Sequence, residues 1–326
     1  IVSVEDRVHA SVFTIPYFFR FENFTMSITR VVAITGCDSG LGWAIAARSA
    51  REGLVTIAGM YQGTDTKAAQ ALKKLCVHPY SLDVTNLKSI ADFRKYVQGL
   101  LSNNPNYRLH AVVNNAGVMT IGNYEWQTPA MIENTITVNL LGAMKVVSAF
   151  IPDLRKSALE PRIINVASHC GLQPLPGFAA YSASKAAVLA WTRALRLEHR
   201  SHGLSAVAFV PGGFVSSSNL ISKQNAHGYA MLEHLDEEQK SFYGKNIRTL
   251  SNYLQLPSAH ESRYDSLKDE NIIGAFVKAL TDDNPKELYK VESWRYMFYY
   301  KLLKLPLPET AHSWLIKKFL IFPDPE

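Results

Sequence analysis

From Arg30 onward the chain alternates between short apolar runs and longer stretches in which apolar positions recur with a helical period. The runs are RVVAIT (Arg30 to Thr35), LVTIAGM (Leu54 to Met60), His78 to Leu82, LHAVVN (Leu109 to Asn114), RIINVA (Arg162 to Ala167) and LSAVAFV (Leu204 to Val210). Most are continuously apolar rather than alternating, as strands covered on both faces require. Helical patterns fill the intervals: to about Arg51, Thr66 to Leu75, Asn86 to Leu101, Pro129 to about Phe150, and Tyr181 to about Arg200. Strands and helices in this order predict an α/β protein with a doubly wound parallel sheet. Ligands of such sheets sit beyond the carboxyl ends of the strands. The loops after Thr35, Asn114, Ala167 and Val210 therefore share one rim.

The ends of the chain read differently. Residues 1–29 form an extension before the first strand, in which Ser11 to Phe24 is apolar but broken by Pro16, Arg20 and Glu22. That stretch is too short for a membrane span and lacks the basic and small-residue flanks of a signal peptide. Residues 30–290 are expected to form one domain, with a polar and aromatic insertion at about 213–268. Residues 291–326 interleave aromatics and leucines with lysines, which suits either an amphipathic cap or a membrane interface.

Composition narrows the field. The 326 residues are 47% hydrophobic and 19% charged, enough for a sizeable core and too ordered for a disordered tail. The net charge of +6 is spread singly along the chain. No zinc-finger spacing, recognition-helix pattern or aromatic-basic stripe accompanies it, so nucleic acid is not the expected partner. Cys37, Cys76 and Cys170 are odd in number and far apart. They suggest neither disulfide framework nor metal site, and they point to a reducing, intracellular compartment.

Two motifs carry chemistry. The turn Thr35-Gly-Cys-Asp-Ser-Gly-Leu-Gly42 follows a strand and opens a helix. Glycines there allow a tight turn and close approach to a pyrophosphate, which the free N–H groups of the helix start can bind. In YSASK, Tyr181 and Lys185 stand four residues apart, on one face of a helix. An ammonium beside a phenol is expected to favour the phenolate and bring the tyrosine into range for proton transfer. Ser168 follows the RIINVA strand at the same rim, where its hydroxyl could polarise a substrate carbonyl.

Together with Asn114-Asn115-Ala116-Gly117, Asn139 and Pro211-Gly212-Gly213, these motifs stand in the order and spacing of the short-chain dehydrogenase/reductase family, which the chain resembles from about Arg30 to Ala279. The resemblance implies a Rossmann-like fold and hydride transfer between a nicotinamide cofactor and an alcohol or ketone, with the insertion at about 213–268 as a substrate lid. It casts Tyr181 as proton exchanger and Lys185 as the group that tunes it and holds the nicotinamide ribose. Ser168 would orient the substrate oxygen, and Asn139 would anchor a water linking Lys185 to solvent. Cofactor contacts would come from Thr35, Gly36, Asp38, Ser39, Gly40, Leu41 and Gly42 of the turn, and from Asn115, Ala116 and Gly117. Asp83 and Val84, Pro211 and Gly212, and Phe214 and Ser216 complete them, with Tyr181 and Lys185. Asp83 would meet the adenine amino group, or alternatively cap the next helix. Departures from the family pattern are Ala167 in place of a first serine, His169 after Ser168, and Ser216 in place of threonine. His169 reads as a satisfied loop histidine rather than a substrate contact.

The second strand ends in Gly59-Met60-Tyr61-Gln62, neither acidic nor basic, while Asp38 would repel a 2′-phosphate. NAD is therefore favoured over NADP. The glycine turn and the aromatic tail resemble the branch holding retinol, 17β-hydroxysteroid and 3-hydroxybutyrate dehydrogenases, and are similar to the Shroud-type proteins of ecdysteroid synthesis. The resemblance implies a small apolar alcohol or ketone as substrate, and a homodimer through the Tyr181 helix. It also implies a cytoplasmic location or one at the endoplasmic reticulum membrane, with the C-terminal segment as contact. The readings set against this enzyme are a non-catalytic dinucleotide-binding regulator, a dehydrogenase of small hydroxy acids, and a binder of membrane or nucleic acid through its charge.

Overall fold

The computed structural model describes residues 28–157, 159–213, 219–258 and 264–320. Phe214, Ser216 and most of the expected N-terminal extension, Ser11 to Phe24 included, lie outside the described residues. Seven strands form one parallel sheet in the order β3-β2-β1-β4-β5-β6-β7. They are β1 (Thr29–Thr35), β2 (Val55–Met60), β3 (His78–Ser81), β4 (Tyr107–Asn114), β5 (Arg162–Val166), β6 (Ser205–Val210) and β7 (Leu288–Lys290). Strand order reverses between β1 and β4, which opens the crevice that doubly wound sheets use for ligands. The predicted strands all form within a residue or two of their expected limits. The sequence reading lacked β7, whose three residues are too few for a periodic signal.

Helices α1 (Gly40–Arg51), α2 (Lys67–Lys74) and α3 (Leu87–Asn103) follow the first three strands. After β4 come α4 (Pro129–Ile136), a π-helical stretch (Thr137–Gly142) and α5 (Ala143–Arg155), continuous as one rod. Then follow α6 (His169–Leu172), α7 (Ala179–His199), α8 (Gln224–His234), α9 (Glu237–Ser258), α10 (Glu270–Thr281), α11 (Trp294–Leu302) and α12 (Glu309–Leu320). Successive strand residues face opposite sides, so β1 feeds two cores. Val32 and Ile34 join Ile45, Leu72 and Phe276 on one face, whereas Val31 and Ala33 join Phe93, Phe150 and Leu195 on the other.

The rod from Pro129 to Arg155 is long and apolar enough to cross a membrane by composition. Its apolar side chains are used otherwise: Val146, Val147, Phe150 and Leu154 are buried in the second core. Thr128 caps its start by accepting from the Met131 amide, and a proline occupies the first turn, where no N–H is needed. The expected single helix is present, but its middle is wound more widely.

At the amino end of the sheet, two buried basic side chains tie α10 to the strands. Arg162 on β5 donates from Nη1 to the carbonyls of Ala279 (3.2 Å) and Asp282 (3.0 Å). His110 on β4 places Nε2 2.8 Å from the Leu280 carbonyl and Nδ1 3.2 Å from the Leu159 carbonyl, and the neutral ring donates its single N–H to one of them. These groups absorb carbonyls that a helix end leaves unpaired. Burial lowers the pKa of both, that of His110 to about 4.

Candidate active site

Thr35 ends β1, and the chain must turn sharply to start α1 beneath the rim. Gly36 and Gly40 make the turn in the left-handed region, with φ of +71° and +56°. At Gly42 a Cβ would collide with the Gly36 carbonyl and the Asn115 amide, so α1 begins hard against the loop after β4. Four bonds lock those two loops. Thr35 Oγ1 accepts from the amides of Asn115 (3.1 Å) and Ala116 (3.0 Å), and Asn115 Nδ2 donates to the carbonyls of Thr35 (3.0 Å) and Gly36 (2.9 Å).

Ser39 stands at the N-cap of α1 yet makes no side-chain cap bond, and no acidic residue occupies the first turn. The Gly40 amide donates to the Tyr264 carbonyl at 3.1 Å, so the amides of Leu41 and Gly42 and the positive end of the helix are what remains for an anion. Asp38, Ser39, Leu41 and Gly42 line the cavity beside them, which is the cradle a dinucleotide pyrophosphate requires. The Asp38 carboxylate reaches across to the end of β2, accepting from the amides of Tyr61 (2.9 Å) and Gln62 (2.8 Å). Asp83 Oδ1 holds its own turn through Thr85 N (2.8 Å) and Thr85 Oγ1 (2.7 Å). It does not cap the following helix; Asn86 does that, accepting from Lys88 and Ser89. The side chain of Asp83 and that of Val84 line the same cavity, as do Pro211 and Gly212 opposite.

Ser168, just beyond β5, caps α6 by accepting from the Cys170 amide at 3.2 Å. Glycine at 171 lets α6 lie against α7, because a Cβ there would stand 2.6 Å from the Lys185 backbone. This packing sets Ser168 beside Tyr181 in the first turn of α7, where the serine hydroxyl favours the phenolate. Lys185, one turn on and 5% exposed, donates from Nζ to the Val166 carbonyl at 2.8 Å. Its Nζ would lie 3.6 Å from a Cβ on Gly117, so glycine there keeps the space above the ammonium open.

The electrostatics correct one expectation. Burial pushes the Tyr181 phenol well above its ordinary range, Cys170 adds to this, and only the Ser168 hydroxyl pulls it down. Lys185 does not depress it, because the ammonium points at Val166 O and stands 5.9 Å from the centre of the tyrosine ring. Lys185 is itself destabilised, lowered to about 8 by burial. Pocket desolvation thus outweighs the lysine–phenol attraction in the protein alone.

Asn139 lies in the π-helical stretch, where wider winding turns it toward the loop after β4. Its Oδ1 accepts from Val118 N (2.8 Å) while Nδ2 donates to Val118 O (2.9 Å) and Ser184 Oγ (3.1 Å). Both N–H groups of the side chain are thereby taken by protein partners. His169 is also committed: Nε2 meets the Val291 carbonyl at 2.9 Å, and the ring stacks on Tyr300 with centroids 5.3 Å apart. It opens α6 rather than lying in a loop, and although Nε2 ties it to the C-terminal segment, its buried Nδ1 has no hydrogen-bond partner.

Ser168, Tyr181, Lys185 and the loops that carry Asp38, Asp83, Gly117 and Gly212 border one cavity of about 640 Å³, whereas Thr35, Gly40 and Asn139 stand behind its lining. The cavity is walled further by Met119, Leu175 and Phe178, which the sequence did not single out, and by Leu220 of the expected lid and Tyr296 and Phe319 of the expected cap. Phe178 and Cys170 lacked any signal beyond nearness to Tyr181 and Ser168.

A pyrophosphate cradle at the switch point of a parallel sheet, with a buried serine–tyrosine–lysine cluster beside it, defines a dinucleotide-dependent α/β enzyme. The chain belongs to the short chain dehydrogenase family, whose pattern it matches over residues 30–227. It is 29% identical to retinol dehydrogenase 7 of Mus musculus, over 85% of each chain. With mitochondrial D-beta-hydroxybutyrate dehydrogenase of Rattus norvegicus it shares 27% identity, over 80% of this chain and 76% of that one. With 17-beta-hydroxysteroid dehydrogenase type 2 of Homo sapiens it shares 31%, over 72% and 60% respectively. A short-chain dehydrogenase/reductase of Burkholderia phymatum in complex with NAD has the same fold, with a TM-score of 0.63 and 21% identity, over 80% of this chain and 89% of that one. The protein is accordingly a nicotinamide-dependent oxidoreductase of alcohols and ketones.

Proposed function

We infer that the substrate is an extended apolar secondary alcohol or ketone: a steroid, a sterol such as an ecdysteroid precursor, or a retinoid. The apolar and aromatic far wall of the cavity carries this reading, since burying such a surface is what binds a lipid-like molecule. Relatives that act on retinol and on steroid alcohols are in keeping with it.

In this reading Ser168 donates to the substrate oxygen and Tyr181 exchanges its proton. A bound nicotinamide supplies or accepts the hydride. Lys185 holds the nicotinamide ribose and relays the proton; with a pKa near 8 it both carries and releases one at working pH. Asn139 positions the loop carrying Gly117 and Val118 through its side chain.

The cofactor is NAD. A 2′-phosphate would need donors at the end of β2, and the amides of Tyr61 and Gln62 are already taken by the Asp38 carboxylate. Asp38→Ser is expected to lower the ratio of kcat/KM for NAD over NADP at least tenfold. An unchanged ratio defeats the role of Asp38.

A second reading, a small hydroxy acid, draws on Lys223 and His227 of the lid, which border the same cavity and could face a carboxylate. Turnover of a panel of steroids, retinoids and 3-hydroxybutyrate separates the two. Activity on 3-hydroxybutyrate alone overturns the apolar reading. The free cysteines Cys37, Cys76 and Cys170 are in keeping with an intracellular setting.

A further inference from the structure

We propose that the outer face of the C-terminal cap, formed by α11 and α12, docks on an anionic lipid bilayer. The two helices are each two-faced. Inward, Tyr296, Tyr300 and Phe319 pack on one another and on His169, with ring centroids 4.8 to 5.7 Å apart. Outward, Trp294, Met297, Phe298 and Lys301 recur at the three- and four-residue spacing of a single helical face. On α12 the outward row is Trp314, Lys317 and Lys318.

These side chains are open to solvent to a degree that such residues seldom are: Trp294 is 76% exposed, Trp314 58% and Phe298 53%. Leu305, in the turn between the helices, adds 51%. Packing does not explain them, because both helices already bury their other faces in a cluster around Leu175, Tyr300, Leu303 and Leu315.

The charge says what the face meets. Lys301, Lys304, Lys317 and Lys318 are exposed beside the aromatics, and among the described residues none pairs with a carboxylate. Tryptophan rings settle at the depth of lipid headgroups, and lysines reach from there to the phosphates. An apolar row of indoles and a phenyl ring fringed by cations thus complements a negatively charged leaflet, which offers headgroup depth to the rings and phosphates to the lysines at once. The inner faces of the same helices wall the cavity. If the substrate is lipid-like, as inferred above, docking there would bring its pocket against the bilayer that dissolves it.

Vesicle co-sedimentation of the full chain tests the surface without reference to turnover. Vesicles of phosphatidylcholine with about 30% phosphatidylserine should bind the protein, and more salt should weaken the binding. The triple variant Trp294→Ser, Phe298→Ser, Trp314→Ser should bind at least tenfold more weakly, with an unchanged melting temperature. Charge reversal, Lys301→Glu with Lys304→Glu, should abolish the preference for phosphatidylserine. Equal binding by wild type and the triple variant overturns the proposal, as does absence of binding by the wild type. A wild-type dimer that the triple variant splits, seen by light scattering with no vesicle binding, would instead make this face a contact between copies and equally overturn it. Because no substrate is used, failure here leaves the apolar-substrate reading standing, and the reverse also holds.

Discussion

Strand β5 carries a buried cation at each end, and the two cations have opposite uses. At its start, Arg162 is enclosed by the carbonyls that end α10, with His110 closing the same corner. Beyond its end, Lys185 has one carbonyl partner, Val166 O, and otherwise faces a cavity. Burial lowers the pKa of both groups. The amino end spends its polar atoms on backbone partners and so fixes the frame. The carboxyl end leaves polar atoms facing a cavity, which is the condition for binding and proton transfer. Perturbed ionisation alone therefore does not mark a catalytic group; perturbation beside an open cavity does.

The largest expected effect separates the two ends by activity. Tyr181→Phe should lower turnover by about 10³-fold, as loss of a general acid–base typically does, with little change in melting temperature. Absorbance of the reduced nicotinamide reads it, and near-normal turnover would remove Tyr181 from the mechanism. Such a result would favour a non-catalytic binder. Arg162→Ala makes the converse case. Leaving two buried carbonyls unpaired should cost about 3 kcal/mol in denaturant unfolding, with normal activity per folded molecule. Loss of activity without loss of stability would contradict its structural role.

Acidity sharpens the contrast. The folded pKa of His110, about 4, lies below the ordinary 6.5, so the native state holds the ring neutral. Its contribution is complete above pH 6.5 and is lost as pH falls toward 4, by at most about 3 kcal/mol. His110→Gln should flatten that acid limb in unfolding measurements. An unaltered limb would show that the ring does not titrate as its burial demands. The same sign applies to Lys185, whose folded pKa near 8 lies below the ordinary 10.5. Stability should rise from pH 8 to 10.5, and Lys185→Met should remove the rise. Because Lys185 borders a cavity that water can enter, the effect should be smaller, about 1–2 kcal/mol. A rise that survives in the variant would assign it elsewhere.

Much of this was legible in the chain. The continuous apolar runs announced strands buried on both faces, and the glycine turn, Ser168, Asn139 and YSASK announced the rim. These features depend on local chemistry: a tight turn needs glycine, and a helical face needs a spacing of four. The roles of single polar atoms were less accessible. Asp83 was weighed as a helix cap, but the cap is Asn86. Asn139 bonds through its side chain to Val118 and Ser184, a pairing that its place in the chain did not announce. Tyr181 was expected to be acidified by its lysine, yet it is raised. Each outcome rests on which partner stands within hydrogen-bond reach, and no spacing rule states that.

By itself, then, the sequence determined the α/β alternation, the glycine turn at the rim and the local spacing of Ser168, Tyr181 and Lys185, because each is encoded in residues near one another in the chain. Tertiary structure alone decided that Asp38 would occupy the amides of Tyr61 and Gln62, that Arg162 would hold α10, and that Tyr296 and Phe319 would wall a cavity begun more than a hundred residues earlier. Those pairings join distant segments, and their free energy comes from desolvation and packing that exist only once the sheet has closed its two cores.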